Sequence, residues 1–217
     1  MADVYLVPKH VEDQTSDISL LVERYKTTRL TALQLDPGAF GSTYAREIQF
    51  TYEIWLSRLL NPLSKTLVSV GTAIPSPAEP VDLTHQEWLG TAIIFGPKAL
   101  SKTNSSSLWT TYTRDNFNEP PDLLAVKDTN AIYMITGVFV HPSYRRRGRG
   151  KRLIQTAVHV ATEEAKRAGA SKITVLLEIE SENQAADRLY ESAGFSAVDR
   201  HGASRRGMLW EANLAAS

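Results

Sequence analysis

The chain has 217 residues, long enough for one sizeable hydrophobic core and short for two full domains, so a single domain is expected. With 42% hydrophobic and 22% charged residues it reads as an ordinary soluble globular chain. Twenty-four Lys plus Arg balance 24 Asp plus Glu, so no global field draws it to nucleic acid or an anionic membrane. The absence of cysteine excludes disulfides, thiolate zinc sites and a cysteine nucleophile. No apolar run approaches a membrane span and Met1-Ala2-Asp3-Val4 does not open a signal peptide, so an intracellular, cytoplasmic chain is expected, with the nucleus left open.

In chain order, Val4 to Val7 predicts a short opening strand closed by Pro8. Ile18, Leu21, Val22, Tyr25, Ala32 and Leu33 share a helical face, predicting a first helix from about Ser16 to Leu35, and Asp36-Pro37-Gly38 stops it. Ala39 to Tyr44 leads into a second helical region with Tyr52, Trp55, Leu56, Leu59 and Leu60 on one face, ended by Asn61-Pro62. Thr66 to Val70 and Trp88 to Phe95 predict consecutive antiparallel strands across a Pro-rich loop, Ile74 to Glu87. Residues 98–130, with Ser105-Ser106-Ser107 and Pro120-Pro121 and no sustained period, read as a partly mobile loop insertion.

Ile132 to Val140 is an apolar, β-rich run that Pro142 cannot extend, hence a buried strand. Beyond Gly150, Leu153, Ile154, Ala157, Ala161, Ala165 and Ala168 recur at helical spacing, and Gly169 suits the C′ position. The turn between them therefore sits on a helix N-terminus. Gly148 and Gly150 allow close approach to the backbone, the first-turn amides are unpaired, and Arg145, Arg146, Arg147, Arg149, Lys151 and Arg152 supply charge, a combination suited to a pyrophosphate. Arg145 to Arg152 taken alone also fits a solvated charge run, a nuclear-localisation signal or a nucleic-acid patch.

Lys172 to Ile179 predicts a second central strand, Asn183 to Ala193 a second helix, and Ala197 to Arg200 and Gly207 to Trp210 two closing strands about a His201-Gly202-Ala203 turn. Strand, two helices, three strands, helix, strand, helix, two strands is the order of an α+β domain with a mixed sheet.

Arg145-Arg146-Arg147-Gly148-Arg149-Gly150 resembles the (Gln/Arg)-x-x-Gly-x-(Gly/Ala) acetyl-CoA loop of the GCN5-related N-acetyltransferase (GNAT) superfamily, with the family's Val-x-Pro-x-Tyr lead-in as Val140-His141-Pro142-Ser143-Tyr144. Arg146 replaces a frequent glycine, a departure read as adding charge without removing a required glycine. Asn183 to Phe195 is similar to the family's Asn-x-x-Ala-x-x-Leu-Tyr-x-x-x-Gly-Phe. The resemblance covers Ile132 to Phe195, roughly a third of the chain, and implies a mostly antiparallel sheet of about seven strands flanked by helices and splayed between the fourth and fifth.

By that resemblance acetyl-CoA is the donor, no metal is needed, and Val138, Phe139 and Val140 contact pantetheine and acetyl. Arg145, Arg146, Arg147, Gly148, Arg149, Gly150 and Lys151 form the pyrophosphate loop, Asn183 adds a further cofactor contact, and Tyr190 lies near the sulfur as proton donor. Leu177-Glu178-Ile179 before Asn183 is similar to the bacterial ribosomal-protein alanine acetyltransferases and makes Glu178 the candidate base, its basicity raised by partial burial, with Glu180 on the same face. The Asp-Pro-x-Ala-Phe-Gly-Ser-x-Tyr wording looks like many small-molecule acetyltransferases and makes Glu47, Tyr52 and Glu53 candidate acceptor contacts. The expected function is direct acetyl transfer to a primary amine of a small molecule, by a monomer or homodimer without nucleic-acid or membrane partners. The alternatives are a peptide acceptor, as in a protein N-terminal or lysine acetyltransferase, and a non-catalytic acyl-CoA-binding module.

Overall fold

A computed structural model describes residues 4–9, 15–71, 81–100, 108–112, 118–198 and 205–214. Seven strands, β1 (Val4–Leu6), β2 (Ser64–Val70), β3 (Trp88–Ala99), β4 (Asn130–Val140), β5 (Lys172–Glu180), β6 (Ser196–Val198) and β7 (Arg205–Asn213), form one sheet in the order β1-β2-β3-β4-β5-β7-β6. Every neighbouring pair is antiparallel except β4 and β5. The helices are α1 (Thr15–Leu35), α2 (Tyr44–Glu47), α3 (Tyr52–Leu59), α4 (Leu123–Val126), α5 (Arg149–Arg167) and α6 (Gln184–Ser192).

Strand alternation divides the core between the two faces. Leu67, Ala92, Ile94, Tyr133 and Val175 point to one face and meet Leu153, Ile154, Ala157 and Ala161 of α5. Val68 and Val70 point to the other and meet Leu21, Val22 and Tyr25 of α1 and Trp55 and Leu59 of α3. Trp55, Leu67, Ile94, Tyr133 and Leu153 are wholly buried. Helix α5 ends as its sequence dictates: the Gly169 amide donates to Lys166 O at 2.9 Å and the Ala170 amide to Ala165 O at 3.0 Å, which closes the last carbonyls and turns the chain toward β5.

Residues 98–130 are not simply a loop. Strand β3 continues to Ala99, a 3₁₀ turn (Leu108–Thr110) and α4 lie within the segment, and β4 begins at Asn130. Tyr112 is buried and its hydroxyl donates to Ile132 O at 2.7 Å, packing this stretch over Leu63, Ile132 and Leu176 on the half of the sheet that α1 and α3 leave bare. The serine run Ser105-Ser106-Ser107 and the His201-Gly202-Ala203 turn lie outside the described residues, as does the first half of the Pro-rich connection, residues 74–80.

Candidate active site

The site is built on the place where two parallel strands part. The β4–β5 ladder runs only from Asn130↔Lys172 to Met134↔Leu176, although β4 continues to Val140 and β5 to Glu180. A bulge in β4 helps to open them. Opposite Thr91 to Ile93 the β4 register gains one residue, and Gly137 takes the left-handed conformation (φ +60°) that a side chain would resist. Thr91 Oγ1 donates to Gly137 O at 3.1 Å and pins the bulge. Past it, the His141 amide donates to Leu89 O at 2.8 Å, so by alternation Phe139 directs its backbone groups to β3 while Val138 and Val140 direct theirs to the gap beside β5.

The gap is a cavity of about 590 Å³ reaching from the basic turn to the ends of β4 and β5. Val138, Phe139 and Val140 form its floor, and Glu178, Ile179 and Glu180 the opposite wall. At one end the turn Pro142–Tyr144 leads into α5, whose N-cap Gly148 has φ +74°. The first helical bond there is Arg152 N to Gly148 O (3.1 Å), so the amides of Arg149, Gly150 and Lys151 precede the helical ladder and carry the positive end of its dipole. Arg145, Arg146, Gly148, Gly150 and Lys151 border this end. Four details of this basic end differ from what its sequence pattern suggests.

Arg147 is exposed and does not line the cavity; its carbonyl accepts from Arg152 Nη2 at 3.2 Å. Arg149 borders the cavity, but its guanidinium is buried against β2, donating to Ser69 Oγ and Val70 O at 2.9 Å each, and ties α5 to the sheet. A Cβ on Gly150 would meet Leu189 at 3.2 Å, so this glycine, which borders the cavity, also serves the close approach of α5 to α6. Arg146 has φ +61°, so the departure from glycine does replace the residue that this backbone favours; the added charge comes with roughly 1–2 kcal/mol of local strain.

Tyr190 is buried in α6 with its ring against Phe195 (centroids 6.0 Å apart), and it lines the cavity. Burial pushes the phenol's pKa up, and its hydroxyl has no hydrogen-bond partner among the described residues. A buried neutral phenol facing a cavity keeps its proton and can donate it to a group that enters. Asn183 caps α6, its side chain accepting from the Ala186 amide at 3.1 Å, and also borders the cavity. Glu178 and Glu180 share the wall, as alternation requires, but Glu178 is exposed, so the partial burial expected of it is not present. Glu180 pairs with Arg205 Nη2 at 2.5 Å.

The expected acceptor contacts lie elsewhere. Glu47 is wholly buried and receives Arg29 Nη2 (2.8 Å), Arg29 Nε (3.0 Å) and Arg58 Nη1 (2.8 Å). Burial alone would raise its pKa; the hydrogen bonds and charge of Arg29, then the bond of Arg58, outweigh that and hold it down to about 2. Tyr52 and Glu53 are exposed and do not border the cavity. Its N-terminal wall is instead Asp36, Ala39 and Phe40, from the same Asp-Pro-Gly-Ala-Phe stretch that drew attention to its neighbours. Arg29 stacks on Phe40, 4.7 Å from the ring centroid, so the buried triad supports this wall from behind. Arg188 and Ser192 of α6, four residues apart on one helical face, also border the cavity, and neither stands at helical spacing from Asn183 or Tyr190.

Among the described residues no helix is long and apolar enough to cross a membrane, and no group of three or more His, Asp or Glu is placed to hold a metal ion. No curated protein matches the chain significantly. Among solved structures it is similar to Arabidopsis thaliana NAA60 in complex with a bisubstrate analogue (15% identity, 98% of this chain and 100% of that one, TM-score 0.54). The same protein in complex with acetyl-CoA gives 15% identity, 98% and 99% coverage and a TM-score of 0.53. The GNAT domain of S. lividans PAT gives 11%, 97% and 90%, and 0.52. At such identities the likeness is one of fold, an open sheet parallel only between β4 and β5. The sequence itself adds a likeness of its own: residues 109–195 match the acetyltransferase (GNAT) family.

Proposed function

We propose that this protein transfers an acetyl group from acetyl-CoA directly to a primary amine, and that the amine belongs to a small molecule. The observation that carries the reading is the splay itself. Its floor offers the backbone groups of Val138 and Val140, its one end the α5 amides among Arg145, Arg146 and Lys151, and its middle the Tyr190 ring. A polyanionic group fits the helix start, and an extended amide-bearing arm fits the strand left without a partner on one side. The description of the NAA60 complex with acetyl-CoA supports the donor's identity by analogy of fold.

In this reading the Val140 amide, directed into the gap, donates to the thioester oxygen as negative charge develops on it. The amine nitrogen bonds to the carbonyl carbon, the carbon–sulfur bond breaks, and Tyr190 gives its phenolic proton to the departing sulfur. Glu178, exposed on the wall, takes the amine's proton through water. With no cysteine in the chain, no thiol is available for a covalent acyl-enzyme, and both substrates are held together.

Release of free CoA from acetyl-CoA, measured across polyamines, amino sugars, amino acids, aminoglycosides and peptides, tests the proposal. Turnover with a small amine supports it. Turnover confined to peptides favours a protein acetyltransferase, and tight binding without release for any acceptor favours a non-catalytic module.

A further inference from the structure

Arg145 borders the cavity and joins the end of β4 to its N-terminal wall. Its Nε donates to Val140 O at 2.8 Å, and its Nη2 forms an ion pair with Asp36, 109 residues away. Asp36 sits where α1 gives way to the Pro37–Ala39 turn, a position from which an Asp side chain commonly caps the turn that follows. Here it makes no cap bond, and its carboxylate reaches across to the basic turn instead. Both side chains line the cavity and both are partly exposed, at 28% for Asp36 and 41% for Arg145. Among the described cations of the turn, Arg145, Arg146, Arg147, Lys151 and Arg152, Arg145 alone is held by a carboxylate.

We propose that Arg145 exchanges partners when acetyl-CoA binds: it leaves Asp36 for a phosphate of the donor, and the released Asp36 carboxylate becomes the group that receives the acceptor's ammonium. The inference rests on the donor assignment above. An Arg fork binds phosphate at least as well as carboxylate, and the phosphate arrives already held by the α5 amides, so the exchange is favourable at the moment the donor docks. A carboxylate freed on the N-terminal wall faces the cavity that must admit a cation. Asp36 is thereby an acceptor-binding residue that links the two substrates, and binding is ordered, donor first.

Calorimetry with CoA on the wild type, Asp36→Asn, Arg145→Gln and the double variant tests this. Asp36→Asn, which keeps shape and removes the competitor, should tighten CoA binding about 3–5-fold, the range of a partly exposed ion pair. In the Arg145→Gln background the same change should do nothing. Equal tightening in both backgrounds would mean that Asp36 acts only through its general field, and no tightening, or weakening, would make the pair a structural tie; either overturns the exchange. With any acceptor that is turned over, Asp36→Asn should raise the acceptor KM while CoA affinity rises, opposite signs that loss of fold would not produce. Thermal melts of each variant confirm that all are folded. A wild type that does not bind CoA at all would instead defeat the donor assignment, so the two failures are distinguishable.

Discussion

Replacing Glu47 by Gln keeps the volume of a buried side chain and removes the charge that two guanidinium groups share. Three hydrogen bonds converge on this carboxylate, which is wholly buried, while Arg29 keeps 17% and Arg58 36% of its side-chain surface exposed. Its carboxyl is held down to about 2 from an ordinary 4.5, and linkage converts that difference into about 3 kcal/mol favouring the folded state when the group is ionised. Breaking one partner of a buried ion pair costs about 3–5 kcal/mol in general, so the two routes meet near 3. Urea denaturation at pH 7 should therefore show Glu47→Gln less stable by about 3 kcal/mol. The pH dependence has a fixed sign. Because the folded-state value is depressed, the wild-type advantage is complete above about 4.5 and is lost as pH falls toward 2, so the gap between the two proteins should narrow across that window. A gap below about 1 kcal/mol at pH 7, or one that stays constant between pH 6 and pH 3, would refute the reasoning and make the triad a surface feature screened by water.

Tyr190→Phe should lower kcat about 10²–10⁴-fold and leave CoA affinity near wild type; an unchanged kcat at saturating substrate would make Tyr190 a packing residue. Glu178→Gln should reduce kcat/KM most at neutral pH and recover in part at alkaline pH as the amine sheds its own proton, whereas an equal loss at every pH would assign Glu178 to binding. Arg146→Gly should act in opposite directions on two measurements, raising stability by about 0.5–1 kcal/mol through relief of the φ +61° backbone while weakening CoA binding by loss of one cation. Gly150→Val should lower stability by about 1–3 kcal/mol through its clash with Leu189, seen as a reduced Tm; an unchanged Tm with CoA binding abolished would restore the view that this glycine faces a phosphate.

Local patterns settled most of the elements and the basic end of the cavity. A strand stopped by Pro142, glycines at 148 and 150 and an α5 stripe from Leu153 to Ala165 are periodic or stereochemical signals that each need only neighbouring residues to be read. The same holds for the Asn183 cap and the Gly169 helix end, whose bonds span a few residues. Tertiary structure decided which of those residues face the cavity. A β-bulge at Gly137 changes the parity of β4, and no local pattern announces it, because the extra residue is defined only against Thr91 to Ile93 of β3. The direction of an arginine is equally non-local: within one basic run Arg149 turns to β2, Arg147 to solvent and Arg145 to Asp36. Glu47 shows the same limit from the other side. A carboxylate beside the acceptor stretch looked available from its neighbours in sequence, yet Arg29 and Arg58 arrive from two other helices and consume it, since burial of a charge is resolved only by whatever the fold brings within hydrogen-bonding distance.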